Sequence, residues 1–105
     1  MFGLLDKLTG NTADLSEVVS RGAIVLDVRS KGEYQSGHGK PSKNIPLDQI
    51  KSNIEKIKSW DKPIITCCAS GMRSGTAASI LKSSGIEAYN GGPWQKANQI
   101  ISQQG

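Results

Sequence analysis

Cysteine is scarce in this sequence and unusually placed. Cys67 and Cys68 are the only two in 105 residues. As neighbours they cannot cross-link distant segments, which excludes a disulfide-stapled secreted scaffold. A bond between adjacent residues would be strained, so both thiols are expected free, in a reducing compartment such as the cytoplasm. Aromatic side chains are also few, with one Phe, two Trp and two Tyr to stack on bases. The lysines are scattered and the formal charge is only +4. Nucleic-acid binding is therefore not expected, and the mild positive excess suits small anions near a pocket. No run approaches the roughly 20 apolar residues of a membrane span. In residues 1–10, Asp6 and Lys7 interrupt Phe2, Leu4, Leu5 and Leu8. That segment reads as a short amphipathic helix folded onto the protein and not as a signal peptide, with a weak membrane or partner contact as the alternative. The length bounds one domain, residues 1–105, large enough for a real core.

Short apolar runs alternating with helical spacing fill the chain. Asp14-Leu15-Ser16-Glu17 places a capping residue three before a glutamate; Leu15, Val18 and Val19 form one face, and Gly22 ends the helix. Residues 23–28 are apolar except for Asp27, the mark of a central parallel strand. Ser30-Lys31-Gly32-Glu33 repeats the capping pattern and starts a helix of one or two turns that ends near Gly37. Residues 38–43 contain Gly39 and Pro41 and read as loop, and residues 44–47 are a short strand at most because Pro46 cannot donate to a ladder. Asp48 is expected to cap a helix with Ile50, Ile54 and Ile57 inward and a solvated row of Lys51, Lys56 and Lys58. Residues 86–89 form a last strand closed by Gly91-Gly92, and Pro93 opens a final helix with Ile100 and Ile101 inward. Strands separated by helices in this way define an α/β fold with a parallel sheet.

The chemistry concentrates between residues 63 and 74. Pro63-Ile64-Ile65-Thr66-Cys67 is a strand buried on both faces. It gives way to the small-residue loop Cys68-Ala69-Ser70-Gly71-Met72-Arg73-Ser74, followed by helical spacing through Ala77, Ala78, Ile80 and Leu81 to a stop at Gly85. Ligands of open parallel sheets bind beyond the carboxyl ends of the strands, where Cys68 stands. The first amides of the following helix lack intrahelical partners and attract an anion. Gly71 permits a positive φ, so that successive N–H groups turn inward. Arg73 adds a planar cationic fork. A thiol in such a place is shifted toward thiolate, from near 8.5 to between about 3.5 and 7.5. Cys68 is thus the candidate nucleophile, while Cys67 points the other way along the strand and reads as core packing.

At these residues the chain resembles the rhodanese family of sulfurtransferases. The family loop, cysteine, two residues, glycine, one residue, arginine, serine, is matched from Cys68 to Ser74. Asp27-Val28-Arg29 with Glu33-Tyr34 resembles the family's first motif, Gly37-His38 with Asn44-Ile45-Pro46-Leu47 its second, and Gly91-Gly92 with Trp94 its last. The resemblance implies a five-stranded parallel sheet flanked by helices on both faces. It further implies transfer of sulfane sulfur through a persulfide on Cys68, with no metal or organic cofactor. An active loop of residues 68–73 would cradle the sulfur, with Ala69, Ser70, Gly71, Met72, Arg73 and Ser74 as binding residues. The implied partners are a small sulfur donor (thiosulfate or a persulfide), a thiol or cyanide acceptor, and in the cell a protein acceptor. Two departures stand out. Residues 39–43, Gly-Lys-Pro-Ser-Lys, replace the usual apolar stretch, and Ala69 stands where efficient thiosulfate enzymes often carry a basic side chain.

Other readings compete. Counted from Cys67, five residues precede Arg73, the spacing of related cysteine phosphatases and arsenate reductases. Against that reading, Thr66 stands where such phosphatases usually have histidine, and the loop holds no carboxylate to protonate a leaving group. A non-catalytic binding module of the same fold is the other rival, which an intact cysteine loop disfavours. His38, the only histidine, is expected in a structural hydrogen bond, because a low-pKa thiolate needs no base. Asp27, buried near a strand end, needs partners such as loop amides or Arg29, and the two are expected to support the site. Trp94 is expected as a packing lid.

Overall fold

The computed structural model describes residues 15–104. The helix expected over residues 1–10 and the cap expected at Asp14 lie outside the described residues. In chain order the elements are α1 (Leu15–Ser20), β1 (Ile24–Asp27), α2 (Lys31–Gln35), β2 (Lys43–Asn44), two 3-10 turns (Leu47–Gln49 and Lys51–Asn53), α3 (Ile54–Ser59), β3 (Ile64–Cys68), α4 (Met72–Ser83), β4 (Ala88–Pro93) and α5 (Trp94–Gln104). The strands form one sheet in the order β2-β1-β3-β4, and every neighbouring pair is parallel.

Among the described residues the sheet has four strands, where the family resemblance implied five. Among the described residues the chain offers four extended runs, and after β4 it passes straight into α5. The α/β class itself holds, because the central strands β1 and β3 are buried on both faces and need helices above and below. Strand alternation assigns the faces. Leu26, Ile64 and Cys68 pack with Ile57 of α3 and Ala77, Ala78 and Leu81 of α4. Val25, Ile65 and Cys67 pack on the other side with Leu15 and Val18 of α1 and Ala97 of α5. A fully buried aliphatic side chain contributes about 1.5–3 kcal/mol. Leu26, Ile50, Ile57, Ile64, Ile65 and Leu81 are all in that state, so this double-sided core fixes the strand ends that carry the site.

Two local expectations are corrected. Asp48 does not cap a continuous helix: the chain makes two 3-10 turns, α3 starts only at Ile54, and no side-chain cap bond is present there. Pro46 fixes an extended approach (φ −56°, ψ 150°), and Asn53 leaves helical geometry (φ −114°, ψ 15°) while its amide donates to Gln49 O at 2.8 Å. The last strand runs from Ala88 through Gly91 and Gly92 to Pro93, so α5 begins at Trp94. This extension passes an irregularity opposite Thr66–Cys68. A Cβ on Gly91 would stand 2.7 Å from Ile65 Cγ2 and 2.9 Å from Thr66 O, which is why the chain has glycine there.

Candidate active site

Strand β3 delivers Cys68 at its carboxyl end with the side chain on the α4 face. Gly71 follows at φ +104°, a conformation only glycine adopts cheaply, and is the N-cap of α4. This turn folds the loop back over the sulfur. Gly71 N–H donates to Cys68 Sγ at 3.0 Å, Ser74 N–H at 3.4 Å, and Ser74 Oγ lies 3.3 Å from the same atom. Cys68 is shielded from solvent, whereas Ala69, Ser70 and Met72 are exposed. Burial alone would push the thiol pKa up. The hydrogen bonds of the Ser74 hydroxyl and of the Ser74, Gly71 and Ser70 amides outweigh it and bring the pKa below its ordinary value.

Cys67 is the reverse case. It lies against Val25, Ile65 and Ala97 on the opposite face of the sheet. Burial first, and the nearby Asp27 carboxylate second, push its pKa up to about 12. The two adjacent thiols are separated by the strand into an anion-stabilising and an anion-rejecting environment.

Arg73, expected beside the sulfur, is held elsewhere. Its Nη1 and Nη2 donate to the two carboxylate oxygens of Glu33 at 2.7 and 3.0 Å. Glu33 also accepts from Ser30 N–H at 2.9 Å while its own N–H donates to Ser30 Oγ, completing the capping box of α2. The Arg73 bonds, followed by the Ser30 amide, lower the Glu33 pKa to about 2. Arg73 therefore contributes charge to the loop's surroundings and clasps α2 to α4.

Asp27 and Arg29 form a buried pair behind Cys67. Arg29 Nη2 and Nε reach Asp27 at 2.8, 3.0 and 3.1 Å, and Arg29 N–H donates to Asp27 Oδ1 at 3.0 Å. Arg29 also donates to Gly37 O at 2.7 Å and lies 4.9 Å from the Trp94 ring centroid. Asn44 Nδ2 donates to both Asp27 O and Arg29 O. This cluster ties the ends of β1 and β2 to the start of α5, and its polar partners are these groups and not the amides of residues 69–73. His38 Nδ1 donates to Tyr34 O at 2.7 Å and its ring stacks on Tyr34 at 3.7 Å, the structural role expected of it.

Two residues behind the loop carry more than their sequence neighbourhood suggested. Thr66 Oγ1 donates to Ser74 O at 2.8 Å, anchoring the first turn of α4 to the strand. Asn90 of β4 receives the Ser74 hydroxyl on Oδ1 at 2.7 Å and donates from Nδ2 to Gly71 O at 3.0 Å. The only sequence signal was polarity at positions where strands are buried.

A thiol at a strand end, wrapped by a seven-residue loop and the mouth of a helix within a parallel sheet, is the arrangement of the rhodanese class. The family profile of the rhodanese-like domain matches residues 11–93. The chain belongs to that family. YqhL of Bacillus subtilis, an uncharacterised protein, is 41% identical over 71 residues, covering 67% of this chain and 56% of that one. The thiosulfate sulfurtransferase GlpE of Pseudoalteromonas translucida is 36% identical over 69 residues, 61% of this chain and 60% of its own. The match thus spans less than two thirds of these relatives. Among solved structures, a rhodanese-related protein of Thermoplasma volcanium superposes with a TM-score of 0.67 at 31% identity, over 83% of this chain and 85% of that one. Among the described residues no helix is long and apolar enough to cross a membrane.

Proposed function

We propose that this chain, as one domain of residues 1–105 working in a reducing cytoplasm, is a sulfurtransferase that carries sulfane sulfur on Cys68. The observation that carries the reading is the convergence of the Gly71 and Ser74 amides on Cys68 Sγ, at 3.0 and 3.4 Å, at the head of a twelve-residue helix. Fixed dipoles of this kind favour an anion without reorganising. The Cys68 thiolate attacks the outer sulfur of a donor. A bond forms between the two sulfurs while the donor's own S–S bond breaks, and its electron pair leaves with the remainder, sulfite in the case of thiosulfate. The persulfide that results has its negative charge on the outer sulfur, within the turn of residues 69–73. An acceptor thiol takes that sulfur as its own persulfide, and the electrons of the broken bond return to Cys68 as thiolate. Sulfur exchange between thiolates balances without a metal or an organic cofactor.

The Pseudoalteromonas relative bears the name thiosulfate sulfurtransferase, which supports thiosulfate as one donor. Here Ala69 adds no charge and Arg73 is engaged by Glu33. We therefore read a persulfide, with less negative charge to accommodate, as the better donor, and a small thiol or a protein thiol as acceptor. Phosphate chemistry through Cys67 is disfavoured by a thiol buried on the wrong face with its pKa pushed up to about 12. Steady-state transfer from thiosulfate and from a persulfide donor, to cyanide and to a thiol, tests the reading. Cys68→Ser abolishes transfer with the fold intact, and Cys67→Ser retains it. Equal loss in both variants overturns the assignment, and activity in neither the wild type nor any variant leaves the non-catalytic module as the function.

A further inference from the structure

Asn90 cannot be turned over. Gly92 N–H can only donate and lies 3.0 Å from Asn90 Oδ1; Gly71 O can only accept and lies 3.0 Å from Nδ2. The carboxamide is therefore oriented by its two backbone partners, with Oδ1 toward Ser74. A serine hydroxyl has one proton. At 2.7 Å from a carboxamide oxygen, the Ser74 proton is committed to Asn90, and the Oγ lone pairs are what face Cys68 Sγ at 3.3 Å. Ser74 is fully buried, so no solvent molecule supplies a replacement proton.

We propose that Asn90 is a positioning residue that sets the direction of the Ser74–Cys68 hydrogen bond and so governs when the sulfur is anionic. With Cys68 as thiol, the chain of donors runs from Sγ–H to Ser74 Oγ and from Ser74 Oγ–H to Asn90 Oδ1. With Cys68 as thiolate, that arrangement would aim an oxygen lone pair at an anion. The hydroxyl turns instead to donate to Sγ, and Asn90 Oδ1 keeps the Gly92 amide as its remaining donor. Asn90 thus competes with the sulfur for a single proton. Once sulfur is loaded, the negative charge moves outward to the terminal atom, the inner sulfur is neutral, and the hydroxyl returns to Asn90. The inference rests on Cys68 being the sulfur-carrying thiol. It distinguishes the empty from the loaded state by a rotor and not by a movement of the backbone.

None of the charged groups around Cys68 is hydrogen-bonded to Asn90, whose side-chain partners are Ser74, Gly71 and Gly92. Those charged groups are the Arg73–Glu33 pair from α4 and α2, and, across the sheet, the Asp27–Arg29 pair of β1 beside neutral Cys67. The test is the pH dependence of Cys68 alkylation by iodoacetamide in the full chain, for wild type, Asn90→Ala, Ser74→Ala and the double variant. Removing the competitor lowers the apparent pKa, so Asn90→Ala reacts about three- to tenfold faster near pH 6 relative to its own alkaline plateau. Ser74→Ala shifts the profile upward, and the double variant coincides with Ser74→Ala. An unmoved or raised profile in Asn90→Ala overturns the proposal, as does a downward shift that persists without the Ser74 hydroxyl, since Asn90 would then act through Gly71 O. A second measurement needs no variant: the Asn90 side-chain carbonyl carbon, followed by NMR, inflects at the pH where Cys68 titrates, and a flat response overturns the proposal. Neither readout involves sulfur transfer. Failure of the wild type to load sulfur would sink the functional reading while leaving the role of Asn90 to be decided by the profiles.

Discussion

Arg73 is bound by Glu33, forty residues earlier in the chain, through two parallel hydrogen bonds of 2.7 and 3.0 Å. The loop's only formal cation is thereby tethered at the rim, and the sulfur depends on amides and a hydroxyl instead. Geometry of this kind commits one N–H of each Nη to the carboxylate and offsets the charge that a second anion would meet.

Freeing that cation should help a highly charged donor. Glu33→Gln keeps an acceptor for the Ser30 amide and preserves the capping box. The expected result is a rise of about two- to fivefold in kcat/KM for thiosulfate with little change for a less charged persulfide donor, checked by steady-state kinetics at low and high salt. An unchanged ratio between the two donors would show that Arg73 does not act on the substrate.

The same carboxylate makes acid stability testable. Its folded pKa is depressed to about 2 by Arg73 and the Ser30 amide. A depressed carboxylate contributes stability that is fully present above its unfolded pKa and is lost as pH falls through the folded one. Wild type should therefore exceed Glu33→Gln in urea stability by a constant margin above about pH 5, and the margin should shrink progressively below that and vanish only below about pH 2. Parallel curves throughout would show that the clasp contributes nothing through its charge.

Arg29 and Asp27 are buried together behind Cys67, with Asp27 at 0% exposure. Arg29→Ala leaves that carboxylate unpaired and should cost about 3–5 kcal/mol by chemical denaturation. The double variant Asp27→Asn with Arg29→Met should cost less than the single one, since no charge is stranded. Because the pair lies across the sheet from Cys68, the alkylation profile of Cys68 in the folded double variant should stay close to wild type.

Much of this was legible in the chain. The Ser30–Glu33 capping box, the strand at Ile64–Cys68 and the positive φ at Gly71 follow from local rules, and local rules suffice for them. The opposite burial of Cys67 and Cys68 follows from strand alternation alone. What escaped is tertiary. The Arg73–Glu33 clasp joins two helices with no sequence proximity, so Glu33 read as a cap and as part of a family motif but not as the partner of Arg73. Asn90 drew no reading from the sequence, because Ser74 and Gly71 meet it only through the β3–β4 pairing. The length of β4 was misjudged because glycines that usually close a strand are here the residues small enough to continue one. The fifth strand came from resemblance and not from the residues, which supply four extended runs between Ile24 and Pro93.

Gly91 tests the continuation of β4 through its glycines. Gly91→Ala puts a methyl 2.7 Å from Ile65 Cγ2 and 2.9 Å from Thr66 O, an overpacking expected to cost about 1–3 kcal/mol. Thr66 also anchors Ser74 O, so the folded variant should alkylate Cys68 more slowly near neutral pH. Wild-type stability in Gly91→Ala would mean the strand can part there without effect.

The central claim is that the sulfur of Cys68 accepts and gives up a neutral sulfur atom, and peptide-resolved mass spectrometry of the intact chain incubated with thiosulfate or a persulfide donor tests it most directly. The account predicts the mass of one added sulfur on the peptide bearing Cys67 and Cys68, lost again on addition of a thiol, present in Cys67→Ser and absent in Cys68→Ser. No gain from any sulfane donor, or a gain that survives Cys68→Ser, would contradict it.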